Sequence, residues 1–368
     1  MKRATITTAV TTAILSTSAL ASQPDFGNSD ELNVQNRCIV RMMDSTDPSD
    51  VKGLAMAMAK RANATVRHVY KNSIKGFTVN APCHAAQKAF GDDAHVMRFS
   101  PDGIVSANFR GKPGGNDGQQ VSYGTAMVGG PVNGSGKTAW IIDSGIDLDH
   151  PDLNVDAARG FTSISRGGME DENGHGTHVA GTVAALDNNI GSLGVAPGAT
   201  VVPIRVLDRR GSGSYSGVIA GVDHVAANGS PGDCANMSLG GPASQDVDDA
   251  VEAAAQTGVI FVIAACNDGD DANNYSPARA NGPNVYTISA VNSSGAMPSW
   301  SNYGADVDYA APGVSIFSLW KNGGTNTISG TSMAAPHACA VLMMTNNPST
   351  NGNATNDPDG NPDPIISL

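Results

Sequence analysis

A chain of 368 residues, 40% apolar and 15% charged, can bury a sizeable core, and this balance excludes wholesale disorder and collagen-like repetition. A formal net charge of -12 excludes a non-specific nucleic-acid binder, which needs a basic face to displace counterions from phosphate. After the N-terminal segment, no run reaches the length of a membrane span.

Met1-Lys2-Arg3, the weakly apolar stretch to Leu20 and the closing Ala19-Leu20-Ala21 have the form of an export signal over 1–21. Residues 22–109 hold a small module whose pattern from Arg37 predicts strand, helix, hairpin, helix and strand. Residues 110–120 are rich in glycine without apolar period, a linker composition. Residues 121–345 alternate short apolar runs, among them Ala139 to Ile142, Val201 to Val206, Ala235 to Leu239 and Val259 to Ala265, with helical stretches. Such alternation predicts an α/β fold, a doubly wound parallel sheet with helices on both faces and its chemistry at the strands' carboxyl ends. Residues 346–368, full of Asn, Asp, Gly and Pro, are expected to be a disordered acidic tail. The five cysteines are an odd number, so at least one thiol has no intramolecular partner, and none has zinc-ligand spacing.

Three polar residues stand where a chemical site would be built. Asp143 follows the run Trp140-Ile141-Ile142, His175 opens a helix within Asn173-Gly174-His175-Gly176-Thr177, and Ser332 opens another within Gly330-Thr331-Ser332-Met333, with Pro336 expected in its first turn. Amide hydrolysis needs a nucleophile, a base to take its proton and an anion to hold the base in one tautomer. Singly, each reads as a cap or a turn former. Together, Ile142 to Asp147, Gly174 to Gly181 and Gly330 to His337 resemble the three signature blocks of the subtilase family in the order Asp, His, Ser. Asn274 to Ala278 and Ser301 to Gly304 resemble its proteinase K-like branch.

The resemblance implies a secreted serine endopeptidase of subtilisin-like fold, with Asp143, His175 and Ser332 as triad and Asn267 as side-chain donor to the oxyanion. It implies substrate pairing along Ser238, Leu239 and Gly240 and along the edge that holds Gly213. It also implies a structural Ca2+ held by Asp152, Leu186, Asn188, Ile190 and Ser192, with Gln119 as a further candidate. The first module is similar to the family's propeptide, an intramolecular inhibitor removed by self-processing. Protein and peptide substrates, no nucleic acid, no membrane span and a monomer complete the expectation. Cys266 departs from the family pattern, which usually has glycine there, and the polar tail stands where a long helix usually follows.

His178 and His337 read as structural histidines, for no third ligand or H-E-x-x-H pattern accompanies them. An α/β-hydrolase esterase is the alternative suggested by Gly330 to Ala334, but that fold needs an acid and then a histidine after the serine. A catalytically dead binding protein is the alternative from another class, and the complete polar set weighs against it.

Overall fold

The computed structural model describes residues 32–107, 109–114 and 118–368; the expected export signal lies outside the described residues. The first module contains β1 (Cys38–Met42), α1 (Val51–Arg61), β2 (Val66–Tyr70), β3 (Gly76–Val79), α2 (Cys83–Phe90) and β4 (Val96–Pro101). Its sheet runs β2-β3-β1-β4, and Val40, Met42, Met58, Phe77 and Phe90 fill the space between sheet and helices. Cys38 and Cys83 are joined by a disulfide, which ties β1 to α2.

Two strands follow, β5 (Ile104–Ser106) and β6 (Arg110–Gly114). The second module then contains α3 (Tyr123–Met127), β7 (Thr138–Asp143), β8 (Asn154–Val155), β9 (Phe161–Thr162), α4 (His175–Ala184), β10 (Thr200–Arg205), β11 (Ser212–Ser214) and α5 (Tyr215–Asn228). It continues through β12 (Cys234–Met237), β13 (Gly241–Pro242), α6 (Gln245–Ala255), β14 (Ile260–Ala264), β15 (Tyr275–Ser276), β16 (Val285–Val291) and β17 (Tyr309–Pro312). It closes with β18 (Ile316–Trp320), β19 (Gly324–Ser329), α7 (Thr331–Met344), β20 (Ser349–Asn353) and β21 (Pro364–Ser367).

The main sheet has the order β20-β21-β17-β16-β14-β12-β7-β10-β8, with β9 beside β10, and all its pairs except β20–β21 are parallel. The chain builds outward from β7 in one direction to β10 and in the other to β12, so the switch point lies at the carboxyl end of β7. Continuously apolar runs such as Ile260–Ala264 suit strands buried on both faces. On one face Val218, Val222, Val247 and Val251 of α5 and α6 pack on Trp140, Met237 and Phe261. On the other, α4 and α7 pack on Ile141, Val262 and Ile288. Helix α7 is buried from Thr331 to Met343, as an apolar helix without a polar face must be. A disulfide between Cys234 and Cys339 fastens it to β12, closing a loop of 105 residues, an arrangement that typically stabilises by about 2–5 kcal/mol.

The first module docks on α5 and α6. Tyr70, Ile39 and Ile74 join the core on that face. One carboxylate, Asp223 on α5, accepts from the backbone N–H groups of Lys71, Asn72 and Ser73 at 2.7–3.0 Å and from the side chains of Asn72 and Ser73. Arg98 pairs with Asp246 and Asp249, both in the first half of α6.

Two expectations need correction. The segment 110–120, read as a free linker, is held at both ends: β6 pairs antiparallel with β19, and the Gln120 N–H donates to Gly191. Glycine, which suggested freedom, is here what permits contact, because a Cβ on Gly111 would lie 2.6 Å from the Thr327 carbonyl oxygen. The segment 346–368, expected to be disordered, forms the hairpin β20–β21, and β21 extends the parallel sheet beside β17. Ile366 joins the core that carries α7, so the missing helix is replaced by a strand.

That hairpin buries Asp363, whose carboxylate accepts from Ser289 at 2.6 Å. Burial, reinforced by Asp357, Asp359 and Asp308 nearby, pushes its pKa up from 3.8 to about 7. The folded state therefore keeps a proton that the unfolded chain releases first, and stability falls as pH rises from about 4 to about 7. Replacing Asp363 with Asn should remove this loss: its melting temperature should exceed that of the parent at about pH 8 but not at about pH 4, as read by calorimetry.

Candidate active site

Asp143 ends β7 and His175 begins α4, and the structure brings them together with both side chains buried. The two Asp143 oxygens lie 2.8 and 2.9 Å from His175 Nδ1. An ionised carboxylate can only accept, so Nδ1 carries the proton and Nε2 is left with a lone pair. Nε2 is buried and has no hydrogen-bond partner among the described residues.

The local frame around this pair is set by two residues that sequence reasoning missed. Asp171 accepts from Ser144 Oγ, from Thr177 Oγ1 and from the N–H groups of Asn173, Gly174 and Thr177, capping α4 with a buried carboxylate. Ser144 Oγ in turn accepts from the Gly176 N–H at 3.0 Å. The residue after Asp143 is thereby tied to the residue after His175. An acid a few residues before a helix start was the legible signal, since this is where a capping residue belongs.

Ser332 sits at the second position of α7, with its Oγ donating to the Ser238 carbonyl at 3.3 Å. Pro336 lies one turn into the helix rather than in its first turn. Lacking an N–H, it cannot bond the Ser332 carbonyl, and that carbonyl accepts instead from Ser238 Oγ at 2.8 Å. Asn236 Nδ2 donates to the same hydroxyl at 2.8 Å, so β12 grips the turn that carries Ser332.

Asn267 follows β14. Its Oδ1 accepts from the Thr331 N–H at 2.8 Å and from Thr331 Oγ1 at 3.1 Å. A backbone N–H can only donate, which fixes the amide's oxygen there and gives Nδ2 the other direction. Cys266 beside it has a left-handed backbone, with φ of 81°, which explains a usual glycine at this place. Its thiol is free and buried, and burial pushes its pKa to about 12, so it stays protonated and unreactive. It also faces Gly240, where a Cβ would lie 2.3 Å from the sulfur.

A strand-shaped cleft runs up to these groups, and it is filled by the chain itself. Ile104–Ser106 pairs antiparallel with Ser212–Ser214, Val105 lying opposite Gly213. Ala107 extends this pairing by donating to Gly211 at 2.8 Å, and on the other side Ser106 exchanges two hydrogen bonds with Gly240, at 2.9 and 3.1 Å. Leu239 and Val105 are buried in the same cluster. Phe109 then lies with its ring 5.1 Å from that of His175.

The profile of the subtilase family matches residues 134–356. The chain belongs to the subtilase family. This subtilase is 38% identical over 336 residues to the alkaline serine exoprotease A of Vibrio alginolyticus, covering 86% of its own length and 61% of that relative's. It is 39% identical to an extracellular serine proteinase of a Thermus species, over 81% of this chain and 72% of the relative. Its fold is similar to the crystal structure of a cold adapted subtilisin-like serine proteinase, with a TM-score of 0.60 and 37% identity, over 67% of this chain and 97% of that one. The α/β class and the subtilisin-like sheet expected from sequence are thus shown.

Of the residues expected to hold calcium, the structure gathers some and turns others. Leu186 and Ser192 direct their carbonyls at one point, the Gln119 Nε2, at 2.8 and 3.2 Å. Asp152 is buried and accepts from the Ser192 N–H at 2.9 Å and from Asn188 Nδ2 at 2.6 Å. Asn188 Oδ1 is turned to the Ile190 N–H, and the Ile190 side chain is exposed. Among the described residues, no three His, Cys, Asp or Glu side chains gather as a metal site. His178 donates from Nε2 to the Ile316 carbonyl, and burial lowers its pKa to about 3, as befits a neutral structural histidine. His337 similarly bonds the Met333 carbonyl. No helix among the described residues is long and apolar enough to cross a membrane.

Proposed function

We propose that this subtilase is a secreted serine endopeptidase that cleaves peptide bonds through an acyl-enzyme and is made as a self-processed zymogen. The observation that carries the reading is the segment Gly103 to Ala107, laid as a strand between Gly211–Ser214 and Gly240 and leading directly to His175. An extended peptide bound through its main chain can have many sequences, which suits a broad peptidase.

In this reading Ser332 Oγ turns from Ser238 to His175 Nε2, gives up its proton there and attacks the carbonyl carbon. The Asp143 carboxylate holds the imidazole in its tautomer and stabilises the imidazolium. The Ser332 N–H, at a helix start where no intrahelical acceptor exists, and Asn267 Nδ2 receive the oxyanion. His175 then hands its proton to the leaving amine, and water repeats the cycle on the acyl-enzyme. The register of Ser106 and Ala107, with the Phe109 ring beside His175, supports the bond on the amino side of Phe109 as the site of self-cleavage in this reading. The Ser332→Ala variant tests the reading: casein should go uncut and the first module should stay attached.

Calcium belongs to the same proposal. Two loop carbonyls, a buried carboxylate and a carboxamide are hard oxygen donors of the kind Ca2+ takes, and the electropositive Gln119 amide stands where the two carbonyls converge. Asp152, Leu186, Ser192 and Gln119 would hold the ion, with Asn188 and Ile190 shaping the loop. A cation bound only to the folded state stabilises it by about 2.7 kcal/mol at about 100 times its Kd. Chelation should therefore lower the melting temperature, and Asp152→Ala should abolish the difference between curves in calcium and in chelator. Coincident curves for the unaltered protein would remove the ion from the proposal.

A further inference from the structure

The chain beyond the proposed cut is as closely held as the chain before it. Phe109 sits between two rings: His175 at 5.1 Å and Trp320, edge-on, at 5.9 Å. Trp320 closes β18 and lies over the start of α4, where a Cβ at residue 174 would come 2.2 Å from the indole. Gly174, whose φ of 110° already favours glycine, is therefore what lets the indole reach the rim of the site. Past Phe109 the backbone of β6 adds itself to the free side of β19, with Arg110 opposite Ser329 and Gly114 opposite Thr325. Opposite Ile328 stands Gly111, where a Cβ would meet Ile328 Cγ2 at 2.2 Å and the Thr327 carbonyl oxygen at 2.6 Å. Backbone is on one side of that contact, so it cannot give way cheaply.

We propose that Trp320 and the edge of β19 form a binding site for the leaving-group side of the substrate, selecting an aromatic first residue and glycine as the third. Recognition has two independent parts. The indole and the His175 ring take an aromatic side chain, and β19 takes an extended main chain, close enough at Ile328 to exclude a side chain. Trp320 is thus a specificity-determining residue, placed on the opposite side of the scissile bond from Gly213 and Gly240. The inference rests on the reading of Phe109 as the first residue after the cut.

The test is acyl transfer. Protein expressed as the full chain and allowed to mature is acylated with a small ester substrate, and short peptide amides then compete with water for the acyl group. The peptide's α-amine attacks the acyl carbon, Ser332 Oγ leaves, and the amine's proton returns to it through His175. Phe-Ala-Gly-amide should capture the acyl group about tenfold better than Ala-Ala-Gly-amide, the scale of aromatic packing on two rings, and about tenfold better than Phe-Ala-Leu-amide. Trp320→Ala should reduce the first ratio to within about twofold while leaving the second, and Trp320→Phe should restore most of it. Equal capture of the Phe and Ala peptides by the unaltered protein, or a preference that survives Trp320→Ala, would overturn the subsite and leave the peptidase reading standing. If Trp320→Ala does not fold, the comparison of peptides on the unaltered protein decides. Failure to hydrolyse the ester at all would overturn both.

Discussion

Ser332→Ala should lower peptide hydrolysis by about 10⁶ and leave the first module joined to the second, because the proposed mechanism uses the same hydroxyl for both reactions. Its structural cost should be small. Among the described residues Ser332 Oγ makes one long bond, 3.3 Å to the Ser238 carbonyl, while the turn is held by other atoms: Ser238 Oγ on the Ser332 carbonyl, and Asn267 on Thr331. The variant should therefore melt within a few degrees of an inactive control and migrate as the unprocessed chain. Phosphonate reagents should label the unaltered protein at Ser332 and leave the variant unlabelled. Mass spectrometry of the matured protein should find Phe109 at the amino terminus. A variant that still matured to that terminus when expressed alone would show that another protease makes the cut.

Asn267→Ala should lower kcat by about 10²–10³ with little change in KM, since an oxyanion donor acts mainly in the transition state. The alanine also removes the acceptor that Thr331 uses, at 2.8 Å for its N–H. Asn267→Asp separates the two roles. It keeps an acceptor for Thr331 but puts a negative charge where the amide nitrogen stood, so it should be at least as slow as the alanine variant while melting closer to the parent. A loss expressed wholly in KM would make Asn267 a substrate-binding residue instead.

The blocks around Asp143, His175 and Ser332 were legible because each lies at an element end marked by local chemistry: an apolar run that stops, or a glycine before a helix. The pairing of Asp143 with His175, 32 residues apart, was legible only through the family pattern, since distance in space has no signature along the chain. Composition misled at both ends of the second module. Glycine and asparagine in 110–120 and 346–368 were read as freedom, yet Gly111 lies tightly against β19, and Pro364-Ile365-Ile366 completes the sheet. Three apolar or nearly apolar residues after a polar run are too short a signal for a strand. Tertiary contacts supply the rest, as with Asp363 on Ser289. Trp320 was missed for a different reason: its importance lies in what it touches, and nothing in its immediate neighbours announces it.

The five hydrogen bonds that the segment 71–73 places on Asp223 do not pass through the bond before Phe109, and neither do the Arg98 pairs. Cutting that bond would change the bookkeeping of concentration and leave these contacts in place. Before such a cut the module would be held at the effective concentration of a tethered ligand, and after it at the concentration of the protein in solution. Dilution would then release the module where processing alone does not, so a concentrated, fully cut sample would stay silent and wake on transfer to a larger volume, after a lag set by the off-rate of the Asp223 contact.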